Sequence, residues 1–410
     1  MTGAKAAAAR PQLPFGEFIA LMAMMFATIA FSIDSMLPAL PQIAAELTPG
    51  DVNRAQLILT SFVLGMGIGS FFTGPLSDAW GRKRVLMAGM ALYSVAALLA
   101  ALAQSLELVL AARLLQGLGA AGPRIVSMAM VRDLHQGRAM ARVMSFIMMV
   151  FILVPAVAPS IGSLVIAGFG WRGLFASFVI FAVVGALWLG LRQPETLAVA
   201  DRRPLQPVQL WRALIEVFSH RNVVIATAVL TLFYGLLFAN LSSIQPIFGE
   251  TFGRAASFPY WFAGIALCAG TGSMLNARLV GRLGMRYLTS VALGAQAVVS
   301  LGMAVVTYAG LWPDWAYFPA FLVWTTGIFF MGGLTVGNLN ALAMEPLGHI
   351  AGMAASMTSA VSTVLAVMIA APIGLAFDGT PVPLAFSVAV LTALGYGLMR
   401  MMKVRPVLAE

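Results

Sequence analysis

The chain has 410 residues, of which 60% are hydrophobic and 10% are charged, with a net charge of +9 and a mean hydropathy of +0.93. Soluble globular proteins contain about 25% charged residues, so this composition excludes an ordinary soluble enzyme and predicts an all-α membrane protein. The basic residues are distributed among loops and form no single patch, which argues against a nucleic-acid partner.

Twelve predicted membrane spans follow one another along the chain, each an apolar run long enough to cross a bilayer. In the first half they cover 17–40, 54–77, 85–104, 107–131, 140–167 and 173–191. In the second half they cover 222–247, 258–281, 287–309, 315–341, 352–376 and 382–401. The apolar run that begins near Phe18 is too long for a cleavable signal peptide, and we interpret it as the first span.

The distribution of basic residues predicts the orientation of these spans. Lys and Arg concentrate near the two ends of the chain and in the loops that follow even-numbered spans, whereas Arg54, Arg172 and Arg254 fall on the opposite side. Cytoplasmic loops carry the excess of Lys and Arg in membrane proteins. Both termini are therefore predicted to be cytoplasmic.

One long loop divides the chain into two similar parts. It covers 193–221 and has six predicted spans on either side, and residues 139–162 are similar to 352–375, with Pro159 matching Pro372. Two like-oriented halves form the parallel-repeat plan of a large class of transporters. The predicted organisation is an N-terminal six-helix half at 1–192, a cytoplasmic linker at 193–221 and a C-terminal six-helix half at 222–410.

The most specific motif follows the second span and reads Gly-Pro-Leu-Ser-Asp-Ala-Trp-Gly-Arg-Lys-Arg over residues 74–84. Its three cations could simply anchor a cytoplasmic helix end, but this interpretation leaves Gly74, Asp78 and Gly81 unexplained. The run resembles the signature loop of the major facilitator superfamily. The resemblance implies the twelve-helix fold of that superfamily, with alternating access around a central cavity.

The same resemblance implies a gate at the cytoplasmic side. In this interpretation Asp78 lies against the N-terminus of the eleventh span, where the positive end of the helix dipole favours a carboxylate. Arg82 pairs with Asp133, which ends the fourth span. The implied gating residues are Gly74, Asp78, Gly81, Arg82 and Asp133.

The fourth span carries two arginines on one stripe. Because successive helical residues turn by about 100°, Arg113, Gly117, Ala120 and Arg124 share a face. An intramembrane Arg costs about 2.5–3.5 kcal/mol on insertion scales, so Arg113 is predicted to face protein or water. Snorkelling to the membrane surface is the alternative, more so for Arg124. The run from Arg113 to Gly119 also resembles the span-4 motif of the superfamily, which implies a role for Arg113 in proton coupling.

Residues 117–122 of this span also match the Gly-x-Gly-x-x-Gly fingerprint of dinucleotide-binding proteins. That fingerprint needs a preceding strand in a βαβ unit, and these residues lie inside a membrane helix. We interpret the glycines as sites of close helix approach.

Asp34 is the one acidic residue deep inside a predicted span. It lies about six residues, or ~9 Å, below the external end of the first span, and Arg113 is at a similar depth, so the two side chains could meet. Water or a nearby cation favours the charged carboxylate and closure favours the protonated form, which suits a proton carrier. The alternative is that Asp34 satisfies backbone groups freed by Pro38.

Four short runs narrow the resemblance to the bicyclomycin/chloramphenicol-resistance branch of drug:H⁺ antiporters. They are residues 33–41, 131–134, 144–146 and 194–196. The resemblance implies proton-coupled multidrug efflux of small, largely apolar compounds of amphenicol or bicyclomycin type, in a bacterial inner membrane. It implies no cofactor, because a proton gradient supplies the energy.

The fifth span contains Pro155 and Pro159, and each removes a helix hydrogen bond, which predicts a kink. Antiporters usually carry a Gly-Pro kink with flanking glycines here, and this chain has Ala158 and Ser163 where glycines are typical. The departure slightly weakens the prediction of antiport over symport.

Polar residues within spans are candidates to line the central cavity. They are Ser32, Ser35, Arg124, Tyr234, Asn240, Gln245, Asn276, Asn338 and Asn340. The 25 Met and 26 Phe could form an adaptable ligand surface, or they could serve only core packing and lipid contact. No metal-ligand spacing and no nucleotide-binding loop is present, so neither a metal nor ATP is expected.

The predicted protein is a transporter and not an enzyme, and its expected partners are a small-molecule substrate, protons and the bilayer. It is expected to act as a monomer. A proton-coupled metabolite exporter or importer on the same scaffold is the alternative. A transport-silent receptor would need a signalling domain outside the membrane, and no loop is long enough to form one.

Overall fold

The computed structural model describes residues 13–202, 204–205 and 207–402, so the outer ends of the two predicted halves lie outside the described residues. Within them the chain forms helices and no strands. Ten stretches are long and apolar enough to cross a membrane. One of these contains two spans, since the helix Gly137–Arg192 breaks at Gly170, where φ is 67° and ψ is −178°. Phe258–Leu283 is also of crossing length, although more polar.

The described residues thus contain twelve helices of crossing length, and the predicted fold class is confirmed. In the first half they are α1 (Phe15–Asp34), α2 (Leu57–Trp80), α3 (Arg82–Leu102), α4 (Leu106–Leu134), α5 (137–169) and α6 (171–192). In the second half they are α7 (Arg221–Pro246), α8 (Phe258–Leu283), α9 (Met285–Tyr308), α10 (Asp314–Met344), α11 (Ala351–Leu375) and α12 (Val382–Met401).

The first span ends earlier than predicted. It was expected to reach residue 40, but α1 stops at Asp34 and continues as a 3₁₀ turn, Leu37–Ala39, and a short helix, Leu40–Leu47. Pro38 has no N–H to donate to the carbonyl four residues earlier. The chain therefore tightens, and the amide of Met36 donates to Ile33 (3.3 Å) instead of Ser32.

Each half packs its six spans in the same pattern. In the first half α2 and α3 both pack against α4, and in the second half α8 and α9 both pack against α10. The two halves meet through two equivalent pairs, α2 with α11 and α5 with α8. A cavity can therefore form along the line where the halves face each other.

Glycines let α4 approach its neighbours closely, as the sequence predicts. A Cβ on Gly117 would lie 2.0 Å from the carbonyl oxygen of Phe62 in α2, and one on Gly119 would lie 2.5 Å from the backbone nitrogen of Tyr93 in α3. The Gly-x-Gly-x-x-Gly run is therefore a packing motif of the N-terminal half.

A short helix, Pro207–Ser219, follows the first half and contacts α7 and α11. It lies at the end of the bundle that carries residues 74–84, which we call the gate end.

Candidate functional site

A cavity of about 310 Å³ lies between the halves, lined by α1, α5, α7, α8 and α10. Its walls consist of aliphatic and aromatic side chains such as Leu237, Phe238 and Phe329, together with two polar residues, Asp34 and Ser273. Asp34 is the one ionisable residue among those that line it. The cavity can therefore hold an apolar molecule and presents a single carboxyl group to it.

The carboxyl group of Asp34 is buried and has no partner in the part of the chain that the structure describes. The residue is 5% exposed, and within the described residues no hydrogen bond or ion pair reaches its side chain. In particular, no described backbone amide donates to it, so the alternative in which Asp34 satisfies groups freed by Pro38 is not what the structure shows. A buried carboxylate without donors or a cation is strongly disfavoured in its charged form.

Arg113 is fully buried, which excludes snorkelling. Its guanidinium donates from Nε to the carbonyl of Ile58 (3.3 Å), from Nη1 to Oε1 of Gln116 (2.8 Å) and from Nη2 to the carbonyl of Ser32 (3.2 Å). It also lies 4.3 Å from the ring centroid of Phe62. Arg113 therefore supplies the hydrogen bond that the Ser32 carbonyl lost when α1 was broken.

The predicted direct meeting of Arg113 and Asp34 is not seen among the described contacts. Two residues along a helix turn by about 200°, so Ser32 and Asp34 face nearly opposite sides of α1. Ser32 faces the interior of the N-terminal half, where Arg113 lies, and Asp34 faces the cavity. Arg113 and Asp34 therefore lie at a similar depth along their spans, but the Asp34 side chain points away from Arg113.

Two buried polar residues that the sequence analysis did not select complete this region. The hydroxyl groups of Ser32 and Tyr93 are hydrogen-bonded, and Gln116 lies beside the same Tyr93 hydroxyl. Tyr93 and Gln116 are both polar residues inside otherwise apolar spans, which is the signal that could have identified them. No described carboxylate joins the cluster around Arg113.

At the gate end, the predicted pairing of Arg82 with Asp133 is confirmed. Nε of Arg82 lies 3.0 Å from Oδ2 of Asp133, and Nη1 contacts Asp78 and donates to Oγ of Ser77 at 2.7 Å. Thr196 donates to the same Asp133 oxygen at 2.9 Å. These bonds join the end of α2, the start of α3 and the end of α4 within one half.

Glu195 is a further residue of this cluster at the gate end, and the sequence analysis did not select it. Its carboxylate accepts from the backbone amides of Arg82 (2.9 Å) and Lys83 (3.1 Å), at the positive N-terminus of α3. Gly81 has a φ of 101°, and a Cβ there would lie 2.5 Å from the Glu195 carboxylate. The turn therefore needs glycine for both its backbone and its space.

Contacts of α2 and the turn before it with α11 and the residues after it join the halves at both ends. At the gate end a Cβ on Gly74 would lie 3.5 Å from Oγ of Ser356. At the opposite end Nδ2 of Asn53 donates to the carbonyls of Leu375 (3.2 Å) and Phe377 (2.7 Å). The described ion pair of Asp78 is with Arg82, and its seating against the N-terminus of α11 stays a prediction.

None of the nine predicted cavity residues is among those that line this cavity, and most of them bond to groups of the helices beside it. Ser35 donates to the carbonyl of Phe31, and Asn240 accepts from Thr325 at 3.2 Å. Polar groups in an apolar medium turn towards available partners, which is why a polar identity alone did not predict a cavity-facing direction.

The remaining candidates lie nearer the gate end or are buried without a partner. Asn276 and Asn338 pair through their amides at 2.8 and 3.3 Å. Tyr234 interacts with Asn340, and Arg124 donates to Ser359 at 3.1 Å. Oε1 of the buried Gln245 has no hydrogen-bond partner among the described residues.

The prolines of α5 lie inside a continuous helix, and the predicted kink stays a prediction. Inside Gly137–Arg192 the non-helical dihedrals are at Gly170, so Pro155 and Pro159 remain in helical conformation. Pro155 lines the cavity. One turn beyond Pro159, a Cβ on Gly162 would lie 2.3 Å from the carbonyl of Ser35, so α5 packs tightly against the end of α1.

Comparisons with known proteins agree on the type of protein. Residues 19–372 match the family model described as "Major Facilitator Superfamily". A bicyclomycin resistance protein homolog of Haemophilus influenzae is 27% identical over 390 residues, covering 92% of this chain and 95% of that protein. The multidrug resistance protein MdtL of Escherichia coli is 31% identical over 237 residues, covering 57% and 60% of the two chains.

Solved structures show the same fold at low identity. The POT family transporter PepTSo has a TM-score of 0.74 and 12% identity, covering 96% of this chain and 98% of that chain. The xylose transporter XylE of Escherichia coli, in a partially occluded inward-open conformation, has a TM-score of 0.72 and 12% identity, covering 97% and 99%. At these identities the likeness extends to the fold alone.

Proposed function

Because this chain belongs to the Major Facilitator Superfamily, and is thus a multi-pass membrane transporter and not an enzyme, we propose that it exports small, largely apolar compounds in exchange for protons. Its relatives include proteins named for bicyclomycin and multidrug resistance. The proposed cargo is of that type, amphenicol- or bicyclomycin-like. The proposed setting is a bacterial inner membrane, with a monomer as the transport unit and both termini in the cytoplasm.

The observation that carries this proposal is the position of Asp34 on an apolar cavity between the two halves. No charged or donating group among the described residues compensates a negative charge there, and this environment favours the protonated carboxyl. When the halves part and water enters, hydration favours the ionised form and the proton leaves. Protonation is in this way linked to which side of the membrane the cavity faces.

Arg113 would act on Asp34 through the helix and not through an ion pair. Its guanidinium holds the Ser32 carbonyl, so it fixes the last turn of α1 and with it the direction of Asp34. A cation at the C-terminal end of a helix is also favoured by the helix dipole. We therefore assign Arg113 as a positioning residue for the proton-carrying carboxyl.

The gate residues would stabilise the conformation in which the cytoplasmic side is closed. Arg82, Asp78, Asp133 and Glu195 tie α2, α3 and α4 into one rigid end. That end then moves as a unit against α11 when the cavity opens inward. No cofactor is needed in this scheme, because the proton gradient supplies the energy.

The test uses purified protein in vesicles of known sidedness, with radiolabelled chloramphenicol as the probe. Asp34→Asn should lower proton-driven accumulation to the level of empty vesicles while exchange of labelled for unlabelled drug continues, since an amide cannot release a proton. Asp51→Asn makes the same chemical change in an exposed loop and should leave both activities unchanged.

Proton-driven accumulation that survives in Asp34→Asn would refute the assigned carrier. If the proton gradient drives chloramphenicol through wild-type protein in the same direction as the protons, export by exchange is refuted. That result would favour a proton-coupled importer.

A further inference from the structure

A second polar cluster, distinct from Asp34, spans both halves on the gate side of the cavity. Nη2 of Arg124 in α4 donates to Oγ of Ser359 in α11 at 3.1 Å. The hydroxyl of Tyr234 in α7 interacts with the charge of Arg124 and with the side chain of Asn340 in α10. All four residues are half-buried. Four helices therefore direct polar side chains at one place.

The cluster carries a positive charge that no acidic residue in the described part of the chain neutralises. Five ion pairs are formed among residues 13–202, 204–205 and 207–402, and Arg124 takes part in none of them. A guanidinium has five N–H donors, and the described bond of Arg124 is to a neutral hydroxyl. A cation inside the membrane without an acidic partner is costly, and an anion bound beside it would lower that cost.

The cluster continues the cavity towards the gate end. The ring of Tyr234 stacks on Phe238, with centroids 6.1 Å apart, and Phe238 lines the cavity. Asn340 lies two helical turns beyond Gly333, which also lines the cavity, and so shares its face of α10. Asp34, at the last residue of α1, lies towards the opposite end.

We propose that Arg124, Tyr234, Asn340 and Ser359 form a binding subsite for the anionic head group of a substrate, a carboxylate, whose apolar body occupies the cavity. Guanidinium, phenol, amide and hydroxyl groups all donate hydrogen bonds, and Arg matches a carboxylate with two parallel bonds. The inference rests on the proposed transport function and extends its cargo to apolar compounds that carry one acidic group.

Binding to the purified protein tests this subsite with two fluorescent probes of equal shape, dansylglycine and its neutral amide, dansylglycinamide. Wild-type protein should bind the carboxylate about tenfold or more tightly than the amide, because charge-assisted hydrogen bonds are stronger than neutral ones. Arg124→Gln should remove this preference, because it weakens the binding of the carboxylate probe and leaves the binding of the amide probe unchanged. Arg124→Lys should keep part of it, since the charge remains without the planar fork.

Ser356→Ala is the control, because it removes a hydroxyl one turn away on the same helix and leaves all four subsite residues in place. It should retain the preference for the carboxylate. Thermal unfolding of every variant, compared with wild type, shows that each is folded.

Equal binding of the two probes by wild type, or binding of neither, overturns the subsite, and so does a preference that persists in Arg124→Gln. A failure of the transport proposal is a separate result, in which the wild-type protein shows no proton-driven export of chloramphenicol. Loss of that export in Arg124→Gln, with no charge preference in wild type, would make the Arg124–Ser359 bond a gate contact only.

Discussion

The two halves of the protein bury polar clusters at equivalent places but of different charge. In the N-terminal half, α1, α3 and α4 meet around Arg113, which bonds to the Ser32 carbonyl and Gln116, while Tyr93 bonds to the Ser32 hydroxyl. The guanidinium is fully buried. Two residues along α1, Asp34 faces the cavity.

The C-terminal half uses neutral groups for the same task. Its equivalent spans are α7, α9 and α10. Thr325 donates to Asn240 at 3.2 Å, the indole of Trp324 donates to Ser300 at 2.9 Å, and Gln296 donates to the same Ser300 oxygen at 3.2 Å. No described residue of this cluster is charged.

The difference separates what the fold needs from what the function needs. Both halves show that polar bonds between the first, third and fourth spans of a six-helix unit can hold these spans together in an apolar medium. The C-terminal half shows that neutral groups are sufficient for this. An arginine in the same place costs more to bury, so we infer that its charge serves proton coupling.

The largest expected effect comes from removing that charge. Arg113→Gln leaves the carbonyls of Ser32 and Ile58 without a donor, at about 1–3 kcal/mol for each buried group, and frees the end of α1. We expect proton-driven chloramphenicol uptake into inverted vesicles to be abolished and thermal stability to fall. Trp324→Phe removes a single neutral bond from the C-terminal cluster, so it should retain most transport.

Arg113→Lys sharpens this result, because it keeps a cation but cannot make three bonds in one plane. We expect the transport activity of Arg113→Lys to lie between that of Arg113→Gln and that of wild type. Full activity in Arg113→Gln, or equal losses in Arg113→Gln and Trp324→Phe, would contradict the distinction between the halves.

The loops after α2 and α8 differ in the same way. Gly81 and Gly284 adopt nearly the same backbone conformation, with φ of 101° and 81° and ψ of 150° and 152°. The N-terminal loop carries Asp78 three residues before its glycine, whereas the C-terminal loop carries Gly281 there. The acidic residue of the proposed gate thus has no counterpart at the equivalent position of the C-terminal half.

A smaller effect is expected from breaking this gate. Asp78→Asn removes a partly exposed ion pair with Arg82, worth about 1 kcal/mol or less, so transport should slow by up to about fivefold while equilibrium drug binding is unchanged. Gly281→Asn places the same amide in the C-terminal loop and should have little effect on either. Equal loss of binding and transport in Asp78→Asn would show that the gate assignment is wrong.

The smallest expected effect compares single hydroxyl groups in the two clusters. Tyr93→Phe and Thr325→Val each delete one side-chain hydrogen bond, and each should lower the free energy of unfolding by about 1 kcal/mol. Only Tyr93→Phe should also change the pH dependence of transport, since Tyr93 bonds to the α1 residue held by Arg113. The same pH profile in both variants would argue against a special role of the N-terminal cluster.

Much of the fold could be predicted from the sequence, because apolar runs of bilayer length are a local property of the chain. Eleven of the twelve predicted spans agree with the observed helices to within three residues at each end. The first span was predicted too long because the apolar pattern continues through Pro38 and Pro41, although Pro38 cannot donate the helix bond.

The candidate site was predicted in part. The pair of Arg82 and Asp133 was predicted from the resemblance to the signature loop of the superfamily, and the structure contains this pair. Glu195 was missed because it lies far along the chain from the helix terminus that it caps. None of the nine predicted cavity residues is among those that line the described cavity, since a polar residue inside a span bonds to whichever group packs beside it.

The sequence alone determined that this chain crosses the membrane many times, how deep Asp34 and Arg113 lie along their spans, and that glycines allow α4 to pack closely. These properties depend on neighbours within one helix. Only the tertiary structure decided that Asp34 faces an apolar cavity, that Arg113 holds the Ser32 carbonyl, and that Arg124 reaches across to α11. The rotation of a helix about its axis is set by packing against other helices. Because successive residues differ in direction by about 100°, a shift of one residue can move a side chain from the cavity wall to the buried core.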